Sequence, residues 1–197
     1  MLGIFSPMRR SKQDTAATRR HIVATAATAL RVRGLDSASV SEIMSDAGLT
    51  HGGFYRHFGS RDALLAEACS VAVDTATGKL AAVAAHADGE PLATLAAFYL
   101  SSGHRDDVGS GCPFAAFGSE LPRAPAAVSE AATEGLRKFI AIVADTLDEP
   151  TKPQAAAITA MLVGAMTLAR LVNDKDLSAS LLTAANVATR QLGKLVG

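Results

Sequence analysis

Along the first third of the chain, apolar positions fall at helical spacing in four runs separated by turn signals. From about Thr15 to Arg33, Ile22, Val23, Ala26, Ala29 and Leu30 line one helical face. Gly34 follows, where a left-handed C-cap is needed. Ser39-Val40-Ser41-Glu42 then reads as a capping box: the Ser39 side chain accepts from the Glu42 amide, and the Glu42 side chain reaches back. The short helix it opens buries Val40, Ile43, Met44 and Ala47 and stops at Gly48. Leu49 bridges to Thr50, the N-cap of a third short helix running through His57. Ser60 caps a longer fourth helix that starts at Arg61 and carries Leu64, Leu65, Ala68, Val71 and Ala72.

The rest of the chain reads as a second helical region. Breaks rich in Gly, Pro or charge fall at 86–91, 101–113, 121–125 and 148–153. Between Pro125 and Asp148 the apolar stripe is Val128, Ala132, Leu136, Phe139, Ile140, Val143 and Leu147. The last helix places Leu181, Ala185, Ala188, Leu192 and Leu195 on another. The uncharged stretch Ala155–Ala169 is shorter than the ~20 residues a membrane span needs, so it reads as a helix buried on all sides. Abundant Ala and few β-branched runs make the fold class all-α. The expected organisation is a basic, flexible arm over 1–14, a helix-turn-helix domain over 15–76, and a helical domain over 77–197.

Charge sharpens this division. The chain is neutral overall, but residues 1–62 carry nine Lys or Arg against five Asp or Glu. That asymmetry suggests a polyanionic partner for the first third. Cys69 and Cys112 lack metal-ligand spacing and fit a reducing, cytoplasmic setting without a disulfide framework. No signal peptide, catalytic triad ordering, phosphate-cradling loop or metal-ligating cluster stands out. The expectation is a soluble non-enzyme without a membrane segment, cofactor or metal. Asp106-Asp107 is a lone acidic pair, and His86 and His104 are isolated loop residues, all read as solvated.

Two short helices joined by a Gly-containing turn form the helix-turn-helix layout, although an ordinary helical hairpin shares it. Ile43, Ala47, Leu49, Phe54 and Phe58 supply a small shared core. Thr50, His51, Gly53, Tyr55, Arg56 and His57 are left more exposed. The run Ser39-Val40-Ser41-Glu42-Ile43, followed by Ala47-Gly48-Leu49-Thr50-His51-Gly52-Gly53-Phe54-Tyr55-Arg56-His57-Phe58-Gly59-Ser60-Arg61-Asp62-Ala63-Leu64, resembles the tetracycline-repressor (TetR) family of bacterial regulators. The resemblance covers about residues 16–76. It implies that Tyr55 and His57 contact the phosphate backbone, that Thr50 caps the recognition helix and binds phosphate, and that Gly53 and Arg56 face base edges. Arg61 matches a phosphate partner, and Ser39, Ser41 and His51 complete the candidate DNA-binding set. The sequence departs from the family at His51-Gly52-Gly53, where two consecutive glycines destabilise a helix by about 2 kcal/mol relative to Ala. Full ordering of that helix is therefore expected only on DNA. Arg9, Arg10 and Lys12 are read either as DNA contacts or as a solvated tail.

The resemblance also implies a homodimer formed by the last two helices and a small-molecule inducer held in the body, with double-stranded operator DNA as partner. Ala165 and Ala185 are read as interface positions. Candidate ligand-binding residues are Phe98, Tyr99, Cys112, Phe114, Phe117, Phe139, Met161 and Met166, each of which an ordinary core would also use. Cys112 precedes Pro113 at a potential helix start, which would favour the thiolate. The alternative is a buried, inert thiol. Coupling to DNA is expected through the helix that starts at Arg61.

Overall fold

The computed structural model describes residues 12–148 and 151–194, and its described residues form helices and no strand. The first four helical elements are α1 (Lys12–Arg33), α2 (Val40–Asp46), a 3-10 helix (His51–Arg56) and α3 (Arg61–Ala85). The body adds α4 (Pro91–Tyr99), α5 (Ser102–Asp106), α6 (Pro113–Phe117), α7 (Ala126–Ala144), α8 (Lys152–Leu171) and α9 (Lys175–Leu192). Helix α1 thus takes in residues 12–14 of the expected arm, and residues 1–11, including Arg9 and Arg10, lie outside the described part. Short 3-10 turns at Val108–Ser110 and Leu121–Arg123 sit in two of the expected breaks.

Two apolar clusters organise the chain, and α3 runs through both. The first gathers Ile22, Leu30, Ile43, Phe54, Leu64 and Leu65 from the N-terminal elements, and takes in Phe117, Val128 and Ala132 from the body. The second gathers Leu80, Leu95, Tyr99, Phe139, Ile158, Leu162 and Met166. The N-terminal elements are therefore seated on the body by shared core residues as well as joined to it by a continuous helix. Helices α8 and α9 fold back on each other across a short link, where Asp174 accepts from the amides of Asp176 and Leu177. The Gln154 amide donates to the Leu192 carbonyl at 2.8 Å and fastens the other end of that hairpin.

Three of the expected apolar stripes turn by one or two positions. On α3, Cys69 and Val73 are buried while Val71 is exposed. On α7, Gly135 takes a core-facing place and Leu136 faces outward. On α9, Ser178, Leu182, Ala185 and Thr189 face inward, leaving Leu181 and Ala188 half-buried; Leu195 lies outside the described residues. Small and hydroxyl-bearing residues take core positions here, and a hydroxyl can bond inside the helix layer. Ser178, for example, donates to the Ala169 carbonyl at 2.7 Å.

Helix α8 also differs from its expectation. By length and composition, Pro153–Leu171 could cross a membrane, with a mean hydropathy of 1.4, but only 33% of that stretch is buried within the protomer. One face packs into the second cluster through Ala155, Ile158, Leu162 and Met166, and the opposite face is open. Ala165 and Ala185 point inward. A charge at either would disrupt the protomer's own core, so neither reports cleanly on an interface.

The α3–α7 contact sets a local limit on side-chain size. A methyl group added at Gly135 would overlap the Val73 side chain, whereas one added at Gly78 in α3 meets nothing within 4 Å. Gly135→Ala is expected to destabilise the protein by about 1–3 kcal/mol through overpacking. Gly78→Ala should stabilise it by about 1 kcal/mol through helix propensity. Urea denaturation of the two variants checks the pair, and equal effects would refute the packing assignment.

Candidate functional site

The turn between α2 and the 3-10 helix is built by its capping residues. Ser39 and Glu42 form both halves of the capping box. At the other end, Gly48 adopts φ +69°, the left-handed conformation that glycine accommodates without strain. Its amide donates to the Ser45 carbonyl at 2.9 Å, and the Leu49 amide donates to Met44 at 2.8 Å, closing a Schellman motif. The chain is thereby redirected so that Phe54 enters the core and stacks on Phe58 at 5.6 Å between ring centroids.

What remains outside is a polar surface on the 3-10 helix. Thr50, His51, Tyr55 and Arg56 are exposed, Tyr55 at 73%, while Gly53 and His57 are half-buried. Ser41 is exposed on the neighbouring α2, whereas the Ser39 hydroxyl is engaged with Glu42. That hydrogen bonding holds the Glu42 carboxyl below its usual pKa. Thr50 stands at the N-cap position but its side chain makes no cap bond.

Three features depart from the sequence reading. The element from His51 to Arg56 is a 3-10 helix rather than an α-helix, as its short length and two weak helix formers would favour. Arg61, expected to meet phosphate, instead donates from Nη2 to the Leu35 carbonyl at 2.6 Å and to Ala38 at 3.4 Å, tying down the α1–α2 loop. The basic excess is also partly internal: Arg33 pairs with Asp46, and Arg31 is buried, donating to Gly109 at 2.6 Å and Ala72 at 3.4 Å. Burial lowers the Arg31 pKa.

Arg19 is a residue the sequence reading missed. Its guanidinium pairs in bidentate fashion with Glu67 of α3, donates to the His57 carbonyl at 3.2 Å, and lies 4.6 Å over the Phe58 ring. It thus joins α1, the end of the 3-10 helix and α3. The hydrogen bonds to Glu67 raise its pKa. Its partners are 38 to 48 residues away, so no local spacing announces them.

The candidate ligand residues scatter. Phe98, Tyr99 and Cys112 line a cavity of about 530 Å³ bounded by α3, α4 and the segment 101–112. Phe114 lines a different, outward-facing groove of about 800 Å³ between α6, α7 and α8. Phe117 belongs to the N-terminal core, while Phe139 and Met166 are buried in the second core and line neither space. Met161 sits half-buried on α8 and lines neither. Cys112 does stand at the N-cap of α6, but that helix is five residues long and the thiol is buried. Burial outweighs the helix end and pushes its pKa up, against the thiolate reading. Cys69 is likewise buried, and its thiol is pushed up to about 11.

His104 is no solvated loop residue. Its Nδ1 lies 2.6 Å from the Tyr99 carbonyl, and Nε2 lies 2.9 Å from the Cys112 amide, which donates to it. These partners fix the neutral tautomer with the proton on Nδ1. Burial, with Arg170 and Lys79 nearby, lowers the His104 pKa.

Comparison with known proteins places this geometry. Residues 22–68 match the model of the bacterial regulatory proteins, tetR family. No curated protein matches the sequence. Among solved structures, a TetR-family transcriptional regulator from Cytophaga hutchinsonii superposes with a TM-score of 0.75 at 18% identity, over 93% of this chain and 98% of that one. One from Agrobacterium tumefaciens gives 0.74 at 21% identity, over 93% and 100%. The reduced form of E. coli NemR gives 0.73 at 20% identity, over 89% and 96%. Residues 22–68 thus match the tetR-family model, and the chain as a whole has the all-helical fold seen in TetR-family transcriptional regulators.

Proposed function

We propose that this chain is a cytoplasmic, non-enzymatic transcriptional regulator that binds a pseudo-palindromic operator as a homodimer, represses from it, and is released by a small, mainly apolar molecule. The observation that carries the DNA-binding reading is the exposed row of Thr50, His51, Tyr55 and Arg56 on a turn anchored by buried Phe54. A hydroxyl, an imidazole, a phenol and a guanidinium on one raised element are suited to phosphate and base-edge contacts. Arg56 forms no salt bridge with a described residue, which leaves its guanidinium available. Gly52 and Gly53 need no positive φ and have room for a methyl, so nothing inside the protein requires them. Close approach of the backbone to DNA gives them a role.

The dimer reading rests on the outward faces of α8 and α9. Ala157, Met161, Gly164, Leu168 and Leu171 repeat at intervals of four and three along α8, as do Leu177, Leu181, Ala184 and Ala188 along α9. All are exposed or half-buried, Leu171 at 75% and Leu168 at 47%. Paired heptad seams of this kind bury themselves against a second copy as a four-helix bundle. Two-fold symmetry of the protein then imposes two-fold symmetry on the operator.

Selection of bound sequences from random DNA tests the proposal, and recovery of no enriched site would refute it. On the selected site, Arg56→Ala is expected to lower discrimination at one base pair per half-site by about 1–3 kcal/mol. Tyr55→Phe should weaken selected and random DNA alike, and a loss confined to the selected site would overturn its phosphate role. For the dimer, Leu168→Glu is expected to give folded monomers with reduced operator affinity, read by light scattering and circular dichroism. Wild-type protein found monomeric at micromolar concentration would rule the seam out.

A further inference from the structure

The short element His51–Arg56 is held at its two ends by unequal means. At the start, Thr50 makes no side-chain cap bond, and two glycines follow that add no stiffness of their own. At the finish, the last carbonyls of a helix have no partner inside it. There the His57 carbonyl accepts from Arg19 Nε at 3.2 Å. The same guanidinium pairs in bidentate fashion with Glu67 and lies 4.6 Å over Phe58, which stacks on Phe54. The exposed Tyr55 and Arg56 are therefore referred to α1 and α3 through this side chain as well as through buried Phe54.

The Arg19–Glu67 pair is poorly placed to serve either of the usual purposes of an ion pair here. The two side chains are 40% and 39% exposed, and pairs exposed to that extent add little to folding. Nor does it add charge for DNA. Nε, Nη1 and Nη2 of Arg19 are each given to a protein acceptor. Glu67 moreover sets a carboxylate near an element read as meeting phosphate, which by charge alone opposes binding. What the pair does supply is direction, because a guanidinium fork locked on a carboxylate holds its third N–H at a fixed angle.

We infer that Arg19 and Glu67 are a positioning pair for DNA recognition: neither touches DNA, yet together they set how Tyr55 and Arg56 meet it. The Glu67 carboxylate thus supports operator binding that its charge would oppose. With the His57 carbonyl held, the element presents one orientation. Without that bond it samples several, and only the fraction in the competent one binds. Contacts to base edges suffer first, since hydrogen bonds weaken steeply with misalignment while attraction to phosphate is long-ranged. The inference deepens the DNA-binding reading above and rests on it.

The test titrates full-length protein with the selected operator and with random DNA. Glu67→Gln removes one negative charge and keeps the side chain's shape, so electrostatics alone would tighten both. Positioning instead weakens operator binding about fivefold or more, with random DNA unchanged or tighter. Arg19→Met keeps an apolar stem beside Phe58 and should lower operator affinity about tenfold, and Arg19→Lys should not restore it. The salt dependence of Arg19→Met should match wild type, because losing a phosphate contact would reduce the slope by about one. In the Arg19→Met background, Arg56→Ala should cost less discrimination than in wild type. Amides 53–58 should exchange faster in both Glu67→Gln and Arg19→Met at nearly unchanged urea midpoints. Operator binding by Glu67→Gln that is equal to or tighter than wild type overturns the inference, as does an equal loss on operator and random DNA. A reduced salt slope, full additivity with Arg56→Ala, or rescue by Arg19→Lys does the same. Should Arg19→Met fail to fold, the sign of the Glu67→Gln effect still decides. Absence of any selected operator would refute the regulator reading, whereas unchanged exchange at amides 53–58 would refute the positioning pair whatever the DNA result.

Discussion

A six-residue turn with adjacent glycines cannot hold a helix in water, because nucleation costs more than so few hydrogen bonds return. The exposed row of Thr50, His51, Tyr55 and Arg56 therefore depends on contacts made outside it, and the Arg19 guanidinium supplies the most connected of them. One planar cation satisfies a carboxylate on α3, a carbonyl at the end of the turn, and the face of Phe58. Such a fork reaches three groups in fixed directions, which a lysine ammonium at the same place would not reproduce. Phe54 and Phe58 give the turn its apolar anchor, and Arg19 fixes where it ends.

The same device recurs at two other loops. Arg61 closes the carbonyls of the α1–α2 loop, and Glu120 accepts from the amides of Leu35 at 2.7 Å and Asp36 at 3.2 Å on the same loop. Arg31 and Arg170 do likewise for segment 101–112. Loops carry backbone groups that no regular ladder satisfies. Here ionic side chains from distant helices take up much of that demand, so several charges that look like surface decoration are structural.

This explains which parts of the molecule were legible in the sequence. Capping residues act on atoms two or three positions away, so Ser39, Glu42, Gly48 and Ser60 could be read directly. The helix-turn-helix and the all-helical class followed from them and from apolar spacing. Long charged side chains reach partners anywhere in the fold, so neither the loop carbonyls that Arg61 bonds nor the partners of Arg19 are announced by local spacing. The candidate ligand residues divide for another reason. Phe98 and Phe139 are chemically alike, and only the packing around them decides that one lines a cavity and the other fills a core. The stripes on α7 and α9 slipped because Gly135, Ser178 and Thr189 occupy core positions that hydrophobicity does not flag.

The loop joining α1 to α2 also constrains how this sequence can vary. Gly34 sits at φ +85°, and the place a side chain would start is 2.5 Å from the Glu120 carboxylate, itself pinned by two amides. A change at position 34 therefore meets two obstacles, one in its own backbone and one belonging to a residue 86 positions along the chain. Removing Glu120 first would clear the second obstacle while leaving the Leu35 and Asp36 amides without their acceptor. The two substitutions cannot add independently. The order in which they arise decides whether each is tolerated, so drift at this junction is expected to proceed by paired replacements.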